Sequence, residues 1–240
     1  MTRLACPRRL ALVAALCAIL APQGARAQDL TPPDIKPVDP SVEAEPSGIR
    51  WNKLALFAAG AATGFVAHES CHVAANLAFG NTPHLESVTF LGFVPFFAIS
   101  PNVECRNGHC TTPSGQPFGK QALYTIVSAG IQCQQYEDEV ILTLEPRLRF
   151  EDAPFRKGMV TFNTLLSVGY VLSDWAGIEP PAGDMVGIHR DAGAPRHLMN
   201  TLVLGVAGLD IARYFFPDAS WLAWVSRSLK VTVTGVVFTL

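Results

Sequence analysis

Residues 54–67 read Leu-Ala-Leu-Phe-Ala-Ala-Gly-Ala-Ala-Thr-Gly-Phe-Val-Ala without a single charge, and the run passes through His68-Glu69-Ser70-Cys71-His72 into a second apolar stretch at residues 73–79. No other feature constrains the fold as strongly. A helix over Trp51 to Phe79 is long enough to cross a bilayer, which needs about 20 residues. It is expected to end at Gly80-Asn81-Thr82-Pro83. Ala59, Gly60, Ala61, Ala62 and Gly64 allow another helix to approach closely. Two histidines and a glutamate inside such a helix are costly to bury unless partners or an ion satisfy them.

The composition points the same way. Charged residues make up 16% of the 240 and apolar residues 49%, with a positive mean hydropathy. The chain is oilier than an average soluble domain and long enough for one sizeable core. A formal net charge of −2, with no basic run or aromatic-interleaved basic patch, argues against nucleic acid as a partner.

Residues 1–27 have a basic start (Arg3, Arg8, Arg9), an apolar stretch from Leu10 to Leu20, and Ala25-Arg26-Ala27 before Gln28. That is the layout of a secretory signal peptide cleaved after Ala27, the alternative being an uncleaved anchor. Residues 28–50 hold five prolines and several acidic residues without apolar periodicity, an exported Pro-rich linker. Residues 51–240 then form one membrane-associated domain. Of six cysteines, Cys6 and Cys17 lie in the signal. Cys105 and Cys110 flank the turn-forming Arg106-Asn107-Gly108-His109 and are expected to pair in an oxidising compartment. Cys71 and Cys133 are expected as buried free thiols in apolar helices.

Beyond the first helix, residues 86–100 are rich in β-branched and aromatic side chains and predict a hairpin or edge pair, with Pro95 at an edge or bulge. Helical segments are expected over residues 119–144, 159–178 and 197–216. A charged connection is expected at residues 146–157, and a last segment from 221 to 240 that is helical and then extended. The fold class is therefore mainly α: a membrane-embedded or membrane-attached helical bundle with a small β-hairpin or sheet element.

The chemistry lies in the His68-x-x-x-His72 spacing. Residues four apart stack on one helix face, so both imidazoles can reach one ion at about 2.0–2.1 Å. Glu69 stands beside that ion as a general base for water that a zinc ion activates. The cofactor expected is Zn2+, with Glu69 catalytic. A catalytic zinc takes three protein ligands, so one more must come from elsewhere. Asp184, in the loop Pro181-Ala182-Gly183-Asp184, is the leading candidate. Its plain alternative is a loop aspartate capping the next turn. Glu137 and Glu139 compete on a gluzincin-like plan, and Asp174 is a weaker rival expected at a helix end. His84, His109, His189 and His197 are expected to be exposed or interfacial. Cys71, about 100° around the helix from His72, is poorly placed to join the site.

These residues resemble the site-2 protease family of intramembrane zinc proteases. The resemblance runs in order over residues 51–215: His68-Glu69-x-x-His72 on an apolar helix, strand-like sequence, a helix with a Gly-containing turn (Ser128-Ala129-Gly130-Ile131-Gln132), and a distal Gly183-Asp184 after prolines. Only the first motif is specific. The resemblance implies that His68, His72 and Asp184 are the metal ligands and Glu69 the base. The distal motif reads Gly-Asp-Met instead of Asp-Gly, and the Gly130 segment lacks the family's Pro and Asn. Gln132 stands where that Asn would, a position that implies a hold on substrate backbone.

The expected activity is zinc-dependent peptide-bond hydrolysis in or at a membrane, on a protein or peptide substrate, with membrane proteins among the candidates. The expected location is the export pathway: a bacterial-type inner membrane or the periplasmic membrane surface, in contact with lipid. The alternatives are a gluzincin-like peptidase using a glutamate of the second helix, and a non-enzymatic exported membrane protein whose motif is structural or incidental. One conflict is visible in the sequence. With the linker exported and the first helix crossing fully, the Cys105/Cys110 loop falls in the cytoplasm, where disulfides are rare. Arg147, Arg149, Arg156 and Lys157 then fall outside it, against the positive-inside rule.

Overall fold

In a computed structural model of the chain, residues 50–90, 94–106, 109–180 and 182–236 are described, so the signal segment expected at residues 1–27 and most of the linker lie outside the described residues. The architecture is mainly helical, with two small antiparallel sheets. Helix α1 spans Trp51–Ala78. Strands β1 (Pro83–Phe90) and β2 (Val94–Pro101) form a two-stranded hairpin, and β3 (Glu104–Arg106), β4 (His109–Thr111) and β5 (Pro117–Phe118) form a second small sheet. Helices α2 (Lys120–Leu144), α3 (Pro154–Ala176), α4 (Arg196–Phe215) and α5 (Ser220–Val236) follow. A short helical turn at Asp184–Val186 runs into a π-turn at Gly187–Asp191 between α3 and α4.

The segment expected as a charged connection is already partly helical: a 3-10 turn covers Leu148–Phe150 and α3 starts at Pro154. Proline at the first helical position loses no intrahelical hydrogen bond, so the charged residues Arg156 and Lys157 belong to the helix. Pro95 pairs opposite Thr89 in a sheet whose strands are both edges, where a missing N–H is tolerated. The Gly130 segment is no turn. It is continuous helix within α2.

Helix α1 packs chiefly against α3 and α2. A side chain at Gly60 would collide with the Phe155 carbonyl, and one at Gly158 with the Phe57 carbonyl, so the α1 and α3 backbones meet at reciprocal glycines. The bundle is apolar outside as well as inside. Trp51, Leu54, Val66 and Leu77 of α1, Leu165 and Leu172 of α3, Leu198 of α4, and Trp221 and Trp224 of α5 are exposed. Beside its apolar core the interior also buries Gln134, Asp138, Asn163, Asn200, Asp210 and Lys230. Two helices, α1 and α4, are long and apolar enough to cross a membrane. At about 1.5 Å per residue the 28-residue α1 extends about 42 Å.

The four cysteines among the described residues form two disulfides. Cys105 and Cys110 pair across β3 and β4, as expected. Cys71 and Cys133 do not remain free thiols: they form a second disulfide joining α1 to α2, with Cα atoms 6.4 Å apart. Each residue reads alone as a buried apolar thiol, and only the contact between the two helices brings the sulfurs together.

Candidate metal centre

Two turns of α1, the α2 backbone and the loop after α3 build the site. His68 and His72 are both buried and carry their Nε2 atoms 3.2 Å apart. Asp184, also buried, places Oδ2 3.2 Å from His68 Nε2 and Oδ1 3.3 Å from His72 Nε2. These three side chains form the one group of metal-binding residue types with converging ligand atoms among the described residues.

A divalent metal fits this arrangement for two reasons. His72 Nδ1 stands 2.8 Å from the Ile126 carbonyl, an acceptor, so Nδ1 carries a proton and Nε2 is left to the site. That nitrogen faces the Asp184 carboxylate and the other imidazole, so a metal ion there would take the place of the proton that the carboxylate otherwise holds on His72. The distances also suit one: ligands at about 2.0–2.1 Å around a tetrahedral ion stand about 3.3 Å apart.

The α2 backbone makes room for this. A Cβ at Gly130 would strike both imidazoles, so α2 lies against the rings only because residue 130 has no side chain. In the loop after α3, Gly183 allows a close approach to Glu179, whose Oε1 accepts the Met185 N–H at 3.0 Å. This fixes the turn that carries Asp184. Burial, and then the Asp184 charge, push the Glu179 carboxyl up to about 9. Burial also works to raise Asp184, but the His72 and His68 imidazoles beside it outweigh burial and hold its carboxyl well below the usual range.

Glu69 is placed as a neighbour to the centre. Its Oε1 lies 4.0 Å from His68 Nε2, and its Oε2 accepts the Ile99 N–H of β2 at 3.0 Å. Beside the three converging groups opens a cleft of about 310 Å³ lined by His72, Asp184, Ile99, Val103, Leu123 and Val127, with Glu86 and Arg190 also on its wall.

The rival third ligands are elsewhere. Glu139 is occupied by Arg213, Arg227 and Lys230. Glu137 accepts from Asn163 Nδ2 at 3.2 Å and is not among the converging groups. Asp174 lies near the end of α3, as expected, but as a buried hub: it accepts from Arg196 Nε at 2.8 Å and Asn200 Nδ2 at 2.6 Å, and pairs with His189 Nε2 at 2.7 Å. His189 is thus tied to α3 and only partly exposed, and it helps hold the loop that carries Asp184. Gln132 spends its amide on Ser128 Oγ within α2.

Glu179, Gly130 and the Ile126 carbonyl were not singled out for these roles from sequence. Glu179, five residues ahead of Asp184 in a Pro/Gly loop, carried a weak signal. A backbone carbonyl carries none.

No protein-family model, curated protein or solved structure matches this chain.

Proposed function

We propose that the protein is a membrane-embedded zinc-dependent peptidase of site-2-protease type, with His68, His72 and Asp184 as ligands and Glu69 as general base. The observation that carries this reading is the convergence of three buried ligand atoms at tetrahedral spacing beside a carboxylate that does not join them. His68, His72 and Asp184 would hold a zinc ion whose Lewis acidity would activate water and the scissile carbonyl. Glu69 takes the water proton and returns it to the leaving amine. The Ile99 N–H orients the carboxylate for this task. The cleft walls of Val103, Leu123 and Val127 receive apolar side chains of an extended substrate and exclude bulk water.

The membrane setting rests on the apolar exterior and on polar side chains buried away from it, which suits a lipid solvent. The fold also separates the two features in conflict in the sequence. Lys53, at the start of α1, pairs with Asp152 in the connection before α3, so the basic segment sits at one end of the bundle. Cys105, of the Cys105–Cys110 pair, borders the cleft beside His72, about five turns of α1 away from Lys53. Orienting the cleft to the oxidising side and the basic end to the cytoplasm satisfies both rules.

Elemental analysis of the purified full-length protein, paired with a peptide-hydrolysis assay, tests the reading. About one zinc per chain is expected in the wild type and in Glu69→Gln, with hydrolysis lost only in the latter. Absence of metal from both would overturn it.

A further inference from the structure

His72 has its outer nitrogen held by the Ile126 carbonyl, but His68 Nδ1 is fully buried with no hydrogen-bond partner among the described residues. A metal-bound histidine ordinarily donates its other N–H to a carboxylate, carbonyl or water that sets its tautomer and orientation. The polar groups packed behind His68 are therefore informative. On α2, Gly130 touches the imidazoles, and Gln134 and Glu137 follow it four and seven residues along the same helix face. The Gln134 side chain is fully buried with both amide atoms unpartnered. Asn163 of α3 presses its Oδ1, also unpartnered, toward Gly64, one turn ahead of His68 on α1. Its Nδ2 donates to Glu137 Oε2 at 3.2 Å and to Asp138 Oδ1 at 2.9 Å. Glu137 also lies within electrostatic range of His68.

We propose that Glu137, steadied by Asn163, is the positioning residue for His68: directly or through one water, its carboxylate accepts the Nδ1 proton of His68 and leaves Nε2 free to bind metal. The inference rests on the metal-centre reading above. Several observations favour Glu137 over its neighbours. Asp138 shares Asn163 but has Asp210 and Lys230 as its charged neighbours, and Glu139 is taken by three cations. An anionic acceptor also strengthens the imidazole as a ligand, which a neutral amide such as Gln134 does less well.

The test is Zn2+ affinity, measured by competition with a chromophoric chelator on the full-length protein in detergent. Glu137→Gln keeps an acceptor and loses the charge, and Glu137→Leu loses both. Affinity is expected to fall in the order wild type, Gln, Leu, with the last about 10–100-fold weaker. The melting temperature of the metal-free protein is read alongside. A purely structural role would lower that temperature in both variants and leave Zn2+ affinity unchanged. Equal affinity in wild type and the isosteric Glu137→Gln overturns the assignment, whether or not Glu137→Leu folds. If the wild type binds Zn2+ and Glu137→Gln binds it equally, only this inference fails. If the wild type binds none, the peptidase reading fails with it.

Discussion

Asp184 Oδ2 lies 3.2 Å from His68 Nε2, although one residue belongs to a loop after the third helix and the other to the middle of the first. The contact is buried, and the neighbouring His72 is fixed by the Ile126 carbonyl. The centre therefore depends on the loop being delivered to the helix, and its weak points can be named.

Asp184→Asn replaces an anionic ligand by a neutral amide of the same shape. Zn2+ affinity is expected to fall by more than the roughly 10–100-fold typical of an outer-shell partner. Glu139→Gln, the change at a rival ligand, leaves the affinity of its folded fraction at the wild-type value. Chelator competition on both proteins checks the pair; equal losses would place Asp184 outside the centre.

Gly130→Ala separates stability from function. Alanine in a helix interior gains about 1 kcal/mol of propensity over glycine. Here its methyl group meets both imidazoles. The variant is expected to fold and to lose roughly tenfold or more in Zn2+ affinity, because the rings must turn or α2 must withdraw. Unchanged affinity in a folded Gly130→Ala protein would show that α2 does not press on the rings.

The two disulfides differ in the loops they close. Cys71–Cys133 spans 62 residues and Cys105–Cys110 spans 5. On the chain-entropy argument the first contributes about 4 kcal/mol and the second about 2 kcal/mol. Melting the paired Cys→Ser variants of each bridge should show the larger loss for Cys71 and Cys133.

Glu139 binds Arg213, Arg227 and Lys230 at once, and Arg213 and Lys230 are buried. Glu139→Gln strips an anion from two buried cations. A loss of about 3–5 kcal/mol is expected, as for other broken buried pairs. Thermal unfolding in detergent, followed by helical circular dichroism, reads it. A loss below about 1 kcal/mol would mean that Asp210, which also bonds Lys230, compensates alone.

The helices were largely legible because their signals are local. An uncharged apolar run bounded by Gly80 and Pro83 predicts α1, and the segments expected near residues 119–144 and 197–216 appear within a residue of their observed ends. His68, Glu69 and His72 were legible for the same reason: helical periodicity alone puts both imidazoles on one face. The start of α3 was missed because charged Arg156 and Lys157 read as a connection, whereas Pro154 opens a helix there. Cys71 and Cys133 were read as free because helix pairing is invisible within either segment.

From its sequence alone, this chain already specified an apolar helix with two imidazoles and a carboxylate one turn apart, since that pattern depends only on 3.6 residues per turn. Tertiary structure decided the rest. It chose Asp184 over Glu137 and Glu139 to stand with the histidines, joined Cys71 to Cys133, and set a bare glycine against the rings. Each is a contact between distant segments, settled by how closely helix backbones can approach and by which buried charges already have partners.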